Sequence, residues 1–120
     1  MKKILVADDT ENGRELVRTV LESTGYQVFE AKDGIEAVVT ARQVLPDLII
    51  LDLHMPKLDG FGVVEELHRD GALAATPVMA LTASAMMGDK ERAMAVGFTA
   101  YITKPIRLAE LRAEVERLLR

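Results

Sequence analysis

The sequence predicts an α/β domain, with five parallel strands in a doubly wound sheet and five helices covering its two faces. Three observations carry that expectation. Short apolar runs alternate five times with stretches of helical period along the 120 residues. Each run is separated from the next by enough chain for a helical crossover, the connection that parallel neighbours require. The run Leu48-Ile49-Ile50-Leu51 is apolar at four consecutive positions, as a strand covered on both faces would be.

The first strand is expected over Ile4-Leu5-Val6-Ala7, followed directly by Asp8-Asp9-Thr10. A helix then fits from Glu11 to Ser23, with Leu16, Val17, Val20 and Leu21 on one face and Arg14, Arg18 and Glu22 opposite. Gly25 sits where a helix stop belongs. Gln27-Val28-Phe29-Glu30-Ala31 alternates, as a strand at a sheet edge does. Asp33 can cap a second helix that buries Ile35, Val38 and Val39 and ends before Pro46.

Asp47 opens the third strand, which ends in Asp52; Pro56 and Asp59-Gly60 punctuate the loop after it. The third helix runs through Phe61, Val64, Leu67 and His68, and Asp70-Gly71 closes it. Asp-Gly pairs also mark hairpins, but the flanks here have a helical period, which argues against hairpins. Ala72-Leu73-Ala74-Ala75 reads as a loop or a frayed helix end. Pro77 to Thr82 is the fourth strand, and Met86 to Val96 a weakly patterned helix with Gly88 near its start and Gly97 at its end. Ala100-Tyr101-Ile102-Thr103 is the fifth strand, followed by Lys104-Pro105. The last helix is expected to bury Leu108, Leu111, Val115 and Leu118, with Arg117 and Arg120 at its negative end. No repeat, low-complexity tract or linker interrupts the chain, so residues 1–120 read as one domain.

The composition, 49% hydrophobic and 28% charged, is that of an ordinary globular protein. The absence of cysteine excludes disulfides, thiolate chemistry and cysteine zinc sites. The N-terminal apolar run is too short for a signal peptide or a membrane span, which makes the cytoplasm the default location. A net charge of −4 leaves no basic footprint for nucleic acid, and the lack of tryptophan offers no stacking platform.

Polar groups follow four of the apolar strands: Asp8-Asp9, Asp52, Thr82 and Lys104. In a parallel sheet the strand C-termini share one edge, where ligands bind at the point of reversal in strand order. Three carboxylates, a hydroxyl and an ammonium should therefore meet. Carboxylates this close repel one another, and at least one takes up a proton unless a cation intervenes. Lys104 supplies one positive charge and a divalent ion with oxygen ligands the rest; magnesium suits a few carboxylates plus water and phosphate oxygens. A carboxylate beside such an ion, a lysine and a hydroxyl is a phosphoryl-transfer constellation in which Asp52 acts as nucleophile.

At these residues the chain resembles a known family. Asp8-Asp9, Asp52 with Met55-Pro56 and Asp59-Gly60 after it, Thr82-Ala83, and Tyr101 with Lys104-Pro105 are similar to the receiver domain of two-component response regulators, the CheY-like superfamily. The resemblance runs from Lys2 to Arg120. It implies a flavodoxin-like sheet of strand order 2-1-3-4-5. It implies that Asp52 is the phosphoacceptor, loaded by a histidine kinase or histidine phosphotransfer protein. Magnesium, with manganese as a substitute, would be held by the side chains of Asp9 and Asp52, by Asp8 through a water, and by the backbone carbonyl of His54. Lys104 would pair with the phosphoryl group, Thr82 would be the switch hydroxyl and Tyr101 the switch aromatic. The Lys104-Pro105 peptide would be cis. His54 and Ser84, each two residues beyond a key position, would tune phosphoryl lifetime through their side chains. The readout face would be the fourth helix, fifth strand and fifth helix, where Met86-Met87 near Gly88 suits a moving part. The donor would dock on the first helix and the Pro105-Ile106 loop. The domain would be a monomer or weak dimer that catalyses only its own phosphorylation and dephosphorylation, with no direct contact to nucleic acid or membrane.

Plainer readings stand beside these. Asp8 and Asp9 could cap the first helix, Thr82 could simply end a strand, Tyr101 could be packing, and His54 could be solvated and used only for its carbonyl. His68 reads as structural or exposed, and two lone histidines do not make a zinc site. No P-loop, dinucleotide fingerprint or nucleophile elbow is present. Two rival functions remain. A metal-dependent phosphatase with an aspartyl-phosphate intermediate typically has a second Asp two residues after its nucleophile, where this chain has His54. A phosphorylation-independent binding domain would have no use for the full set of polar residues. Because the chain ends with the last helix, no output domain is expected within it.

Overall fold

The computed structural model describes residues 1–83 and 88–120. Strands β1 (Lys3–Ala7), β2 (Gln27–Ala31), β3 (Leu48–Asp52), β4 (Val78–Thr82) and β5 (Ala100–Thr103) alternate with helices α1 (Glu11–Ser23), α2 (Gly34–Val44), α3 (Gly60–His68), α4 (Asp89–Val96) and α5 (Leu108–Leu118). All neighbouring strands are parallel, in the order β2-β1-β3-β4-β5. The chain winds outward from β1 to β2, then returns to place β3 on the other side of β1. The crevice of this doubly wound sheet therefore lies beyond the C-terminal ends of β1 and β3.

Alternation of side chains divides the core in two. Ile4, Val6, Leu48, Ile50, Met79, Leu81 and Ile102 pack with Val17, Val20 and Leu21 of α1 and Leu111 and Val115 of α5. Leu5, Ala7, Ile49, Leu51, Val78 and Ala80 pack with α2, α3 and Ala93 of α4. All five residues of β3 are buried, and four of them are fully buried Leu or Ile side chains. Each such side chain contributes about 1.5–3 kcal/mol relative to remaining exposed. β2 is half-buried, as its alternating pattern and edge position require.

Four expected core positions are corrected. Leu16 is 47% exposed, Ile35 51%, Val39 48% and Leu108 38%. On α2 the buried ridge is Ala37, Val38 and Ala41, whose small side chains let the helix approach the sheet. Ile35 and Val39 lie four residues apart on a neighbouring ridge. Leu16 and Leu108 likewise lie off the ridges formed by Val17, Val20 and Leu21 and by Leu111 and Val115. The described part of α4 begins at Asp89 after Gly88; the expected start at Met86-Met87 lies outside the described residues.

Both Asp-Gly pairs that precede helices act as caps. Asp33 accepts from the Glu36 N–H at 2.8 Å and Asp59 from the Gly62 N–H at 2.9 Å. Gly34 sits hard against the β3–α3 loop, where an added Cβ would lie 1.8 Å from the Leu58 carbonyl oxygen. Gly97 closes α4 at φ 117° and rests on the His68 ring of α3.

Gly34→Ala should accordingly lower unfolding free energy by about 2–4 kcal/mol in urea denaturation, because backbone rather than a flexible side chain must yield. Gly71 has nothing within 4 Å of an added Cβ, so Gly71→Ala in the same assay should be neutral or stabilising by up to about 1 kcal/mol.

Candidate functional site

Strand register assembles the polar residues. Ala7 pairs with Leu51, so Asp8 and Asp52 leave adjacent strand ends side by side. Asp52 pairs with Leu81, which places Thr82 one residue further along the neighbouring strand. Thr82 pairs with Thr103, and the next backbone N–H, that of Lys104, donates to the Thr82 carbonyl at 2.7 Å. Lys104 thus follows β5 at the same rim, and its Nζ donates to Asp8 Oδ2 at 2.9 Å and to Asp52 Oδ2 at 3.2 Å. The peptide between Lys104 and Pro105 is cis.

The same alternation sorts the site into two sides. Asp8, Asp52 and Lys104 continue the parity of Val6, Ile50 and Ile102, toward α1 and α5. Thr82 continues the parity of Val78 and Ala80, and Tyr101 packs against the cluster facing α2, α3 and α4. The ion-paired groups and the hydroxyl–aromatic pair therefore share one strand edge but belong to opposite faces of the sheet. Thr82 is fully buried and Tyr101 partly so. Burial, reinforced by the Asp89 and Glu91 carboxylates, raises the Tyr101 hydroxyl above its usual pKa and keeps it neutral.

Asp8 is held by residues that sequence reasoning overlooked. It is 2% exposed. Its Oδ1 accepts the Thr10 backbone N–H at 2.9 Å and the Thr10 hydroxyl at 3.0 Å. Thr10 is the N-cap residue of α1, yet its side chain serves Asp8 rather than the helix end. Gly13 leaves room for the carboxylate: an added Cβ would lie 2.6 Å from Asp8 Oδ2. Arg14 braces the strand end by donating to the Asp8 carbonyl at 2.8 Å while pairing with Glu30 at 3.2 Å. The Asp-x-Thr spacing was the available signal, since Asp accepts from the backbone two residues on in such turns.

Burial would raise the Asp8 carboxyl, but the Thr10 N–H, the Lys104 ammonium and the Thr10 hydroxyl together hold it below its usual value. Burial would likewise lower Lys104, yet its bonds and attraction to Asp8 and Asp52 hold it above its usual value. Asp52 Oδ1 also accepts the His54 backbone N–H at 3.0 Å, while the rest of His54 is exposed. Ser84 lies outside the described residues.

Asp9 is exposed and completes the acidic group. Asp8, Asp9 and Asp52 each offer a carboxylate oxygen, all within 4.8 Å of one another. Three formal negative charges against the single ammonium of Lys104 leave two uncompensated. Clustered hard oxygen donors with that charge deficit fit a small divalent cation.

The ion pairs carry a pH signature. The lowered Asp8 carboxyl contributes stability that is present above the ordinary carboxylate value of 3.8 and lost as pH falls through the depressed value. The raised Lys104 ammonium contributes stability that is present below its ordinary value of 10.5 and lost as pH rises through the raised value. Lys104→Met should therefore lower unfolding free energy by about 1–3 kcal/mol at pH 7. That difference should shrink as pH falls through the depressed Asp8 value, where the wild type loses the charge that Lys104 pairs with. Urea titrations from pH 7 down into the acid limb measure it.

The comparisons with known proteins agree with this geometry. Residues 4–116 match the family model of the response regulator receiver domain. The DNA-binding dual master transcriptional regulator RpaA of a Synechocystis strain is 44% identical over the whole of this chain, which spans 50% of RpaA's length. The chemotaxis protein CheY4 of Vibrio cholerae superposes with a TM-score of 0.93 at 34% identity, covering 99% of both chains. The receiver domain of sensor histidine kinase PA1611 from Pseudomonas aeruginosa, solved with magnesium coordinated in its active-site cleft, superposes with a TM-score of 0.91 at 33% identity, covering 98% of this chain and 97% of its own. A match across nearly the whole chain, with the acidic pocket and the 2-1-3-4-5 sheet in place, settles the relationship: this chain belongs to the receiver domain family of two-component response regulators.

Proposed function

We propose that residues 1–120 form a phosphoryl-accepting switch, and that Asp52 is the acceptor. The observation that supports this most directly is the Lys104 ammonium, which reaches Asp8 and Asp52 at once beside a third carboxylate. A carboxylate oxygen of Asp52 attacks the phosphorus of a phosphohistidine on a histidine kinase or phosphotransfer protein. The O–P bond forms as the N–P bond breaks, and the donor imidazole leaves with the electron pair and takes up a proton. Magnesium, or manganese in its place, would be held by Asp8, Asp9, Asp52 and the His54 carbonyl and would supply positive charge to the phosphoryl oxygens. Lys104 meets the same oxygens, exchanging its bond to Asp52 for one to the phosphoryl group.

Thr82 supplies a hydroxyl to the phosphoryl group, and Tyr101 turns inward as it moves. Both stand on the sheet face that carries α4, so a charge event on the α1–α5 side also reaches α4. The effector binds the face formed by α4, β5 and α5, and the donor binds α1 with the Pro105-Ile106 loop. The exposed His54 side chain, with Ser84, sets how long the phosphoryl group survives. No described helix is long and apolar enough to cross a membrane, and the net charge of −4 disfavours nucleic acid. We read the domain as a cytoplasmic monomer or weak dimer that acts on other proteins; any DNA contact would belong to a second domain, as the name and greater length of RpaA suggest.

Incubation with a small phosphodonor and magnesium should give one acid-stable, base-labile phosphoryl group per chain. Asp52→Asn should reduce labelling to background, and undiminished labelling of that variant would refute the assignment. Lys104→Met should slow labelling by roughly a hundredfold. Thr82→Ala should still be labelled but should lose the phosphorylation-dependent change in Tyr101 signals by NMR. Repeated turnover of a phosphate ester, in place of single labelling, would identify a phosphatase instead.

A further inference from the structure

Helix α4 has little apolar surface to hold it. Among its residues Asp89–Val96 only Ala93 is buried, with Val96 partly so. A further attachment among the described residues is a stack of three groups. The Arg92 guanidinium carbon lies 3.9 Å from the centroid of the Phe61 ring in the first turn of α3. Phe61 in turn meets Phe98 edge-to-face, with centroids 6.2 Å apart and planes at 85°. Phe98 follows α4 and is tied to it by its backbone N–H, which donates to the Ala93 carbonyl at 3.0 Å. A cation over the electron-rich face of a ring, with a second ring packed on the first, is an attractive and oriented contact.

The Phe61 ring is also placed by the acceptor strand. Its neighbour Gly60 donates its N–H to the Leu53 carbonyl at 3.0 Å and lies so close to Asp52 that an added Cβ would be 2.9 Å from the Asp52 carbonyl oxygen. One unbroken set of contacts therefore runs from the backbone of Asp52 through Gly60 and Phe61 to Arg92 on α4.

We propose that the Arg92–Phe61 contact is a catch that holds α4 against α3 in the unphosphorylated domain and sets how readily a phosphoryl group at Asp52 moves it. This rests on the switch reading given above. If α4 leaves its place on activation, the contact must break, and its strength adds to the preference for the resting arrangement. Weakening it raises the affinity for a phosphoryl mimic by the same factor by which it frees the helix.

Beryllium trifluoride with magnesium serves as the mimic, with apparent affinity measured by NMR titration of wild type, Arg92→Gln, Arg92→Lys and Phe61→Leu. Amide hydrogen exchange of the metal-free proteins reports on α4 separately. Arg92→Gln should bind the mimic roughly twofold to tenfold more tightly, the range a partly exposed cation–π contact carries. Exchange across residues 89–96 should rise by a similar factor, with the central strands unchanged. Arg92→Lys, which keeps the cation, should lie closer to wild type. Combining Arg92→Gln with Phe61→Leu should add nothing to the larger single effect, since both remove one contact.

Equal affinity of wild type and Arg92→Gln would overturn the proposal. So would equal tightening by the Gln and Lys variants, because the charge on the ring would then not matter. If wild type binds no mimic, the switch reading fails and the catch loses its role in activation. Exchange in Arg92→Gln then decides whether the contact holds α4 at all, and unchanged rates would end that claim too.

Discussion

A single ammonium bridges two carboxylates that leave adjacent strands. Lys104 follows β5, Asp8 follows β1 and Asp52 ends β3, so the bridge joins segments 96 and 52 residues apart in sequence. Nothing local holds those groups together. Two carboxylates side by side in a largely buried crevice repel, and their approach depends on the cation between them. The apolar sheet makes that arrangement tolerable by burying β3 completely and supplying the rigid edge from which the charges project. The rim is held together by charge and still carries more negative than positive charge, a deficit that favours a cation.

The division of the sheet into two faces gives the site its logic. Strand parity places the ion-paired groups on the α1–α5 side and Thr82 and Tyr101 on the α2–α4 side. A chemical change at the rim meets both faces at once, because only a strand end borders both. The helices on the two faces differ in how firmly they are held. α1 and α5 together bury Val17, Val20, Leu21, Leu111 and Val115, whereas α4 buries Ala93 alone among its described residues. An element with few buried apolar contacts opens at lower cost than one with many.

Much of this was legible in the chain. The strands were visible because consecutive apolar residues have few uses other than a doubly covered strand, and Asp33 was visible as a cap because capping is local chemistry; Asp59, read as loop punctuation, proved to be a cap as well. The helix faces were less legible. Ile35 and Val39 outrank Ala37 and Ala41 in hydrophobicity, yet the alanines face the sheet because close approach favours small side chains. Leu16 and Leu108 were misplaced for a related reason: apolar residues on adjacent ridges both satisfy a helical period, and only packing selects one.

At the rim the sequence alone named Asp8, Asp9, Asp52, Thr82 and Lys104 as residues that must meet, because parallel strands bring their C-terminal ends to one edge. It also called for a counter-charge, which Lys104 supplies, because acids gathered at such an edge need one. What it left open was which oxygen meets which donor. The double contact of Lys104 and the Arg92 stack on Phe61 join side chains distant in sequence. Such contacts depend on register, rotamer and helix placement, and those are decided only when the two faces of the sheet pack.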